Sequence, residues 1–168
     1  MGKPLRVLIV EGTEDDALLL VRELERGGYN LTYERVDNRE AMAQALEKQA
    51  WDIVLADHAM PHFSGLAALK LFKEKGLDLP FVIVSDSTVE EAAIELVKAG
   101  AHDFTIKGNL KRLNVAVERE LKCAQMRREL KQAEEALAER TRELRRMATE
   151  LEAVNQFNLR LIKERSSS

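Results

Sequence analysis

The sequence predicts an open α/β fold, a parallel sheet with helices on both faces, followed by one long C-terminal helix. Three observations lead there. Over the first two thirds of the chain, short runs of β-formers alternate with amphipathic stretches, as in successive strand and helix units. Three of those runs are apolar almost throughout, which marks strands buried on both faces. Beyond about Leu110 the composition changes abruptly: no proline or glycine follows Gly108, and Glu, Arg, Lys, Ala and Leu dominate.

The elements follow in order. LRVLIV (5–10) forms the first strand. Glu14 to Arg26 then places Ala17, Leu18, Val21 and Leu24 on one helical face and stops at Gly27-Gly28. TYERV (32–36) is the second strand, and Arg39 to Gln49 the second helix. DIVLA (52–56) precedes a helix from Gly65 to Lys75 that ends at Gly76. FVIVS (81–85) precedes a helix from Val89 to Ala99, with capping-box spacing at Ser87 to Glu90 and Thr88 to Glu91 and a stop at Gly100. DFTI (103–106) is the fifth strand.

The remainder is helical in character, with a heptad register. Cys123, Leu130, Leu137, Leu144, Leu151 and Asn158 occupy a; Met126, Ala133, Arg140, Met147, Val154 and Leu161 occupy d. A solitary helix over 113–164 would be roughly 80 Å long and leave this apolar stripe uncovered, so a parallel coiled-coil homodimer is expected. Its seam is Leu130, Leu137, Leu144, Met147, Leu151, Val154 and Leu161, with Arg140 and Asn158 setting register or oligomer state. The expected division is a first domain over 1–121, a coiled-coil helix over 122–165 continuous with the fifth helix, and a frayed tail over 166–168.

Composition narrows the function. With 29 acidic and 26 basic residues, the net charge of −3 gives no general field for nucleic acid or anionic membrane. One cysteine, Cys123, excludes an internal disulfide and fits a reducing, cytoplasmic setting. The apolar run near the start is too short for a signal peptide or a membrane span.

The chemistry gathers at the carboxyl ends of the strands, where open α/β sheets bind ligands. The first strand delivers Glu11, the third Asp57, the fourth Ser85 and the fifth Lys107. A carboxylate that ends a buried strand needs compensation, which a metal and Lys107 can give Asp57. The set suits phosphoryl transfer to a carboxylate. Glu11, Asp57 and the backbone carbonyl of Ala59 could hold Mg²⁺, which prefers hard oxygen ligands and keeps several waters. Asp57 would be the nucleophile, with Lys107 and Ser85 contacting phosphoryl oxygens.

At LIVE, DIVLADHAMP, VIVS and AGAHDFTIK, in this order and spacing, the chain resembles the receiver domain of two-component response regulators over residues 4–121. The resemblance implies a doubly wound, flavodoxin-like sheet of five parallel strands in the order 2-1-3-4-5. It implies that Asp57 accepts phosphate from a histidine kinase or phosphotransfer protein, that Ser85 follows the phosphoryl group, and that Phe104 changes rotamer with it. The face made by the fourth helix, fifth strand and fifth helix would carry the signal outward.

Three positions depart from the family pattern. Gly12 stands where a second acid is usual, which predicts weak Mg²⁺ binding; Asp86 follows the switch hydroxyl in place of a small residue; Gly108 follows Lys107 in place of proline or aspartate. Asp86 is therefore a further candidate metal ligand, replacing the acid absent at Gly12. The acids Glu14, Asp15 and Asp16 are explained by the dipole of a first helical turn. His58 and His62 are expected to be solvated loop residues, His102 a turn residue, and Trp51 a packing residue.

The leading expectation is a receiver, not an enzyme, that relays phosphorylation of Asp57 through a dimeric coiled coil. The alternatives are a phosphate-independent adaptor, or the N-terminal segment of a larger sensor kinase. Neither a kinase phosphoacceptor motif nor a glycine-rich nucleotide lid occurs in these residues, and no DNA-binding domain is visible.

Overall fold

The computed structural model describes residues 2–86 and 90–167. The elements in chain order are β1 (Lys3–Val10), α1 (Glu14–Arg26), β2 (Tyr29–Val36), α2 (Arg39–Lys48), β3 (Ile53–Asp57), α3 (Gly65–Glu74), β4 (Phe81–Ser85), α4 (Glu90–Lys98), β5 (Asp103–Ile106) and α5 (Lys111–Ser166). All five strands are parallel and lie in the order β2-β1-β3-β4-β5, as expected. The chain divides into two units, Met1–Gln125 and Met126–Ser168, a boundary a few residues beyond the expected 121.

Alternation along the strands builds two cores. Leu8, Val10, Val54, Phe81 and Ile83 point to one face, where Met42, Leu46, Leu69, Phe72 and Leu96 from α2, α3 and α4 cover them. Val7, Ile9, Ile53, Leu55, Val82 and Val84 point to the other, covered by Leu20 and Leu24 of α1 and by Leu113 and Val117 of α5. Helices on both faces therefore leave β3, β4 and the last four residues of β1 without a solvated side, which is why these stretches carry no polar alternation, whereas Arg6 earlier in β1 is exposed. The edge strand β2 is more polar, and half of its residues are exposed.

Ends of elements follow local chemistry. Thr13, Asn38 and Ser64 cap α1, α2 and α3 by accepting hydrogen bonds from backbone N–H groups at their third helical positions. Replacing Asn38, whose Oδ1 accepts from Ala41 N at 2.8 Å, by alanine is expected to cost about 1 kcal/mol in denaturant unfolding. Gly76, with φ at 66°, follows α3 in the left-handed conformation that ends a helix without steric penalty.

Several boundaries differ from the sequence expectation. β1 begins at Lys3 and β2 at Tyr29, because these two residues pair across the sheet. The helix of the expected tail continues to Ser166, one residue into the stretch expected to be frayed. The capping boxes at Ser87 and Thr88, and the expected helix start at Val89, lie outside the described residues. Trp51 is a packing residue that also donates from Nε1 to Ala45 O at 2.8 Å. His102 is structural: its Nδ1 accepts from Phe81 N at 3.0 Å. Among the described residues, no helix is long and apolar enough to cross a membrane.

In the second unit, the seam residues are uncovered. Leu130, Leu137, Leu144, Met147, Leu151, Val154 and Leu161 are all exposed, Leu137 by 68%. Apolar side chains left in water on one helical stripe are unfavourable unless another surface covers them.

Candidate phosphoacceptor site

The sheet order decides which strand ends meet. β1 lies beside β3, and the register pairs Val10 with Ala56, so Glu11 and Asp57 emerge as neighbours. β4 lies between β3 and β5, with Val84 paired to Asp57 and Ser85 to Ile106, so Ser85 and Lys107 flank the same edge. Four of the residues singled out in the sequence thus arrive together. Glu11, Asp57 and Ser85 are buried, at 2%, 7% and 2% exposure.

Lys107 is the centre of the site. Its Nζ lies 3.0 Å from Glu11 Oε2 and 3.5 Å from Asp57 Oδ2, and it donates a hydrogen bond to Asp16 Oδ2 at 3.1 Å. Glu11 Oε2 is buried with no aligned hydrogen bond of its own, so its contact with the ammonium is an ion pair only. Its other oxygen accepts from Gly12 N at 3.0 Å, and Asp57 Oδ1 accepts from Ala59 N at 3.2 Å. Burial would lower the pKa of Lys107, but close contacts with Glu11 and Asp16 and the charge of Asp57 outweigh it and hold the ammonium above its ordinary range. Burial, reinforced by Asp57 and Asp16, pushes the Glu11 carboxyl up against the pull of Lys107.

Asp16 is the site residue that sequence reasoning missed. It occupies the third position of α1 after the Thr13 cap, where an acid ordinarily turns back to the helix end. Here it turns across to Lys107 instead. The local explanation by helix dipole was sufficient in sequence, and nothing short of the sheet order brings β5 beside it.

Asp86 is exposed, and among the described residues no hydrogen bond or ion pair joins it to Glu11, Asp57 or Lys107. His58 is half-buried and His62 exposed, and neither forms an ion pair in the site. Phe104 is partly buried against the core beside Ile83, its register partner. Near it, Arg119 pairs with Asp103, and Ile94, Val97 and Val115 are exposed apolar residues on α4 and α5. A Cβ added at Gly12 would lie 3.8 Å from Met60 Cγ, an ordinary contact, so packing does not demand glycine there. Nothing in the structure explains Gly108.

The donor set fits a hard divalent cation in chemistry and charge. Three carboxylates, Glu11, Asp16 and Asp57, face one ammonium, which leaves an uncompensated negative charge in a mostly buried place. Among the described residues, no three acidic, histidine or cysteine side chains are grouped closely enough to hold a metal ion by themselves.

Comparison with known proteins agrees with this fold. The response regulator receiver domain family matches residues 7–118. The transcriptional regulatory protein ZraR of Salmonella typhimurium is 34% identical over 101 residues, covering 60% of this chain and 22% of ZraR. The chemotaxis protein CheY of Thermotoga maritima is 33% identical over 107 residues, covering 64% of this chain and 87% of CheY. NtrX from Brucella abortus superposes with a TM-score of 0.68 at 25% identity, over 78% of this chain and 30% of that one. The chain thus spans about a fifth of ZraR and most of CheY.

Proposed function

Because the chain belongs to the response regulator receiver family, we propose that it accepts a phosphoryl group on Asp57 and relays that event through a dimeric coiled coil. Receiver domains are signalling modules that work with histidine kinases or phosphotransfer proteins and bind Mg²⁺ at the phosphorylation site. The observation that carries the proposal is the buried Asp57 carboxylate at the end of β3, with the Lys107 ammonium 3.5 Å away.

In the proposed step, an Asp57 oxygen attacks the phosphorus of a phosphohistidine whose other ring nitrogen is protonated. The phosphorus–nitrogen bond breaks, the bonding electrons go to the ring nitrogen so that neutral imidazole leaves, and an acyl phosphate forms. Asp57 reacts as the carboxylate, so no side chain need remove a proton. Lys107 stabilises charge on the transferred group, and Ser85 contacts a phosphoryl oxygen. Bound Mg²⁺, held by Glu11, Asp57 and the Ala59 carbonyl, would neutralise phosphoryl oxygens. Phe104 and the exposed Ile94, Val97 and Val115 would carry the change to the surface of α4, β5 and α5.

The output is a parallel homodimer in the cytoplasm, made by the seam from Leu130 to Leu161. Two observations support this dimer, the first its association and the second its parallel, in-register pairing. The seam residues are uncovered. Phe157 and Ile162, both exposed, fall at g and e positions five residues apart, so parallel pairing sets each Phe157 against Ile162 of a second copy. The same pairing opposes Glu129 and Glu134, which weakens the beginning of the coil.

Intact mass after incubation with Mg²⁺ and acetyl phosphate tests the proposal. The wild type is expected to gain one phosphoryl group and Asp57→Asn none. Absence of any gain, also with Mn²⁺ and with phosphohistidine donors, would favour a phosphate-independent adaptor, the reading that Gly12 supports.

A further inference from the structure

We infer that Asp16 stands in for the acid missing at position 12, as the positioning residue that anchors Lys107 and sets the affinity of the site for a divalent cation. This rests on the proposed cation-dependent acceptance of phosphate and adds a residue to it. With glycine at position 12, Glu11 and Asp57 alone would face Lys107, and two carboxylates against one ammonium leave a weak attraction for a dication. Asp16 supplies a third negative charge at the same ammonium.

Geometry distinguishes Asp16 from its neighbours. Of the three carboxylates on Lys107, it is the one that accepts an aligned hydrogen bond, whereas Glu11 Oε2 is buried and has only the ion pair. Asp16 comes from α1 rather than from a strand end, so it holds Lys107 from the helix side, while Asp57 lies at the longest of the three distances. Its side chain is 39% exposed, so it can move without disturbing the core. Asp15, in the same helical turn, is exposed and is not among the carboxylates on Lys107. The contact therefore belongs to Asp16 and not to acids of the first turn in general.

Calorimetric titration of the whole chain with Mg²⁺ tests this across the wild type and Asp16→Asn, Asp15→Asn, Asp86→Asn, Gly12→Asp and Gly12→Asp/Asp16→Asn proteins. Asp16→Asn is expected to weaken Mg²⁺ binding about tenfold, the effect of one nearby charge in a partly solvated site. Asp15→Asn and Asp86→Asn stay within about twofold of the wild type, a margin of under 0.5 kcal/mol. The added acid in Gly12→Asp/Asp16→Asn restores the affinity, because the open space beside Met60 admits it. A helix-capping role alone would change thermal unfolding but not this affinity. Wild-type binding by Asp16→Asn, or failure of Gly12→Asp to rescue it, overturns the inference alone. Absence of Mg²⁺ binding in the wild type overturns both the inference and the cation-dependent reading beneath it.

Discussion

Replacing Lys107 by alanine is expected to slow phosphoryl acceptance by Asp57 about a hundredfold and to destabilise the metal-free fold by about 3 kcal/mol. Both effects have one origin. The ammonium, with only 13% of its side chain exposed, is the shared counter-ion of three carboxylates, and its removal leaves Glu11 and Asp57 charged and buried without it. Because the Glu11 carboxyl is already pushed up by burial, it is the group expected to take a proton and limit the damage. Mg²⁺ should recover much of the lost stability by replacing the missing positive charge, but not the rate, since the donor to the transferred group is gone. Urea unfolding with and without Mg²⁺, beside a time course of phosphorylation, separates the two. An unchanged unfolding midpoint would mean that the ammonium is not balancing buried charge.

A lysine at Leu144 is expected to weaken self-association about a hundredfold or more. Leu144 is the third of four consecutive leucines on the a column and is half exposed when uncovered, so a dimer would bury both copies. Each buried leucine contributes about 1.5–3 kcal/mol, and opposed lysines add repulsion. Sedimentation equilibrium reads the effect. Far-ultraviolet circular dichroism should fall with it, because much of the helix in the second unit would lose the surface that stabilises it. The free, exposed Cys123, at an a position, offers an internal check of orientation. Mild oxidation is expected to join two wild-type chains through it and to do so far less in Leu144→Lys; no crosslink in an associating wild type would point to antiparallel pairing.

How much of this was legible in the sequence depended on whether the cause was local. The apolar runs of β1, β3 and β4 mark strands covered on both faces, and the covering helices show their apolar spacing directly. The convergence of Glu11, Asp57, Ser85 and Lys107 was also legible, because each stands at the end of a strand and parallel strands end together. Less visible were features set by partners distant in the chain. β2 starts at Tyr29 because Lys3 is its partner, although its polar sequence looks like strand only from Thr32. Asp16 carries two compatible explanations, a helix-end charge and a contact with a lysine 91 residues away, and sequence spacing offers only the first. Asp86, a candidate ligand from its adjacency to Ser85 in the chain, has an exposed side chain.

The central claim is that the carboxylate at the end of β3 becomes an acyl phosphate. Borohydride reduction after phosphorylation, followed by peptide mapping, tests it at the level of the atom, because hydride converts an aspartyl phosphate to homoserine and leaves free carboxylates intact. Homoserine at position 57 alone, absent without phosphodonor and absent in Asp57→Asn, is the predicted result. Homoserine at another acid with Asp57 unmodified, or none in a protein that has gained a phosphoryl group, would contradict the account.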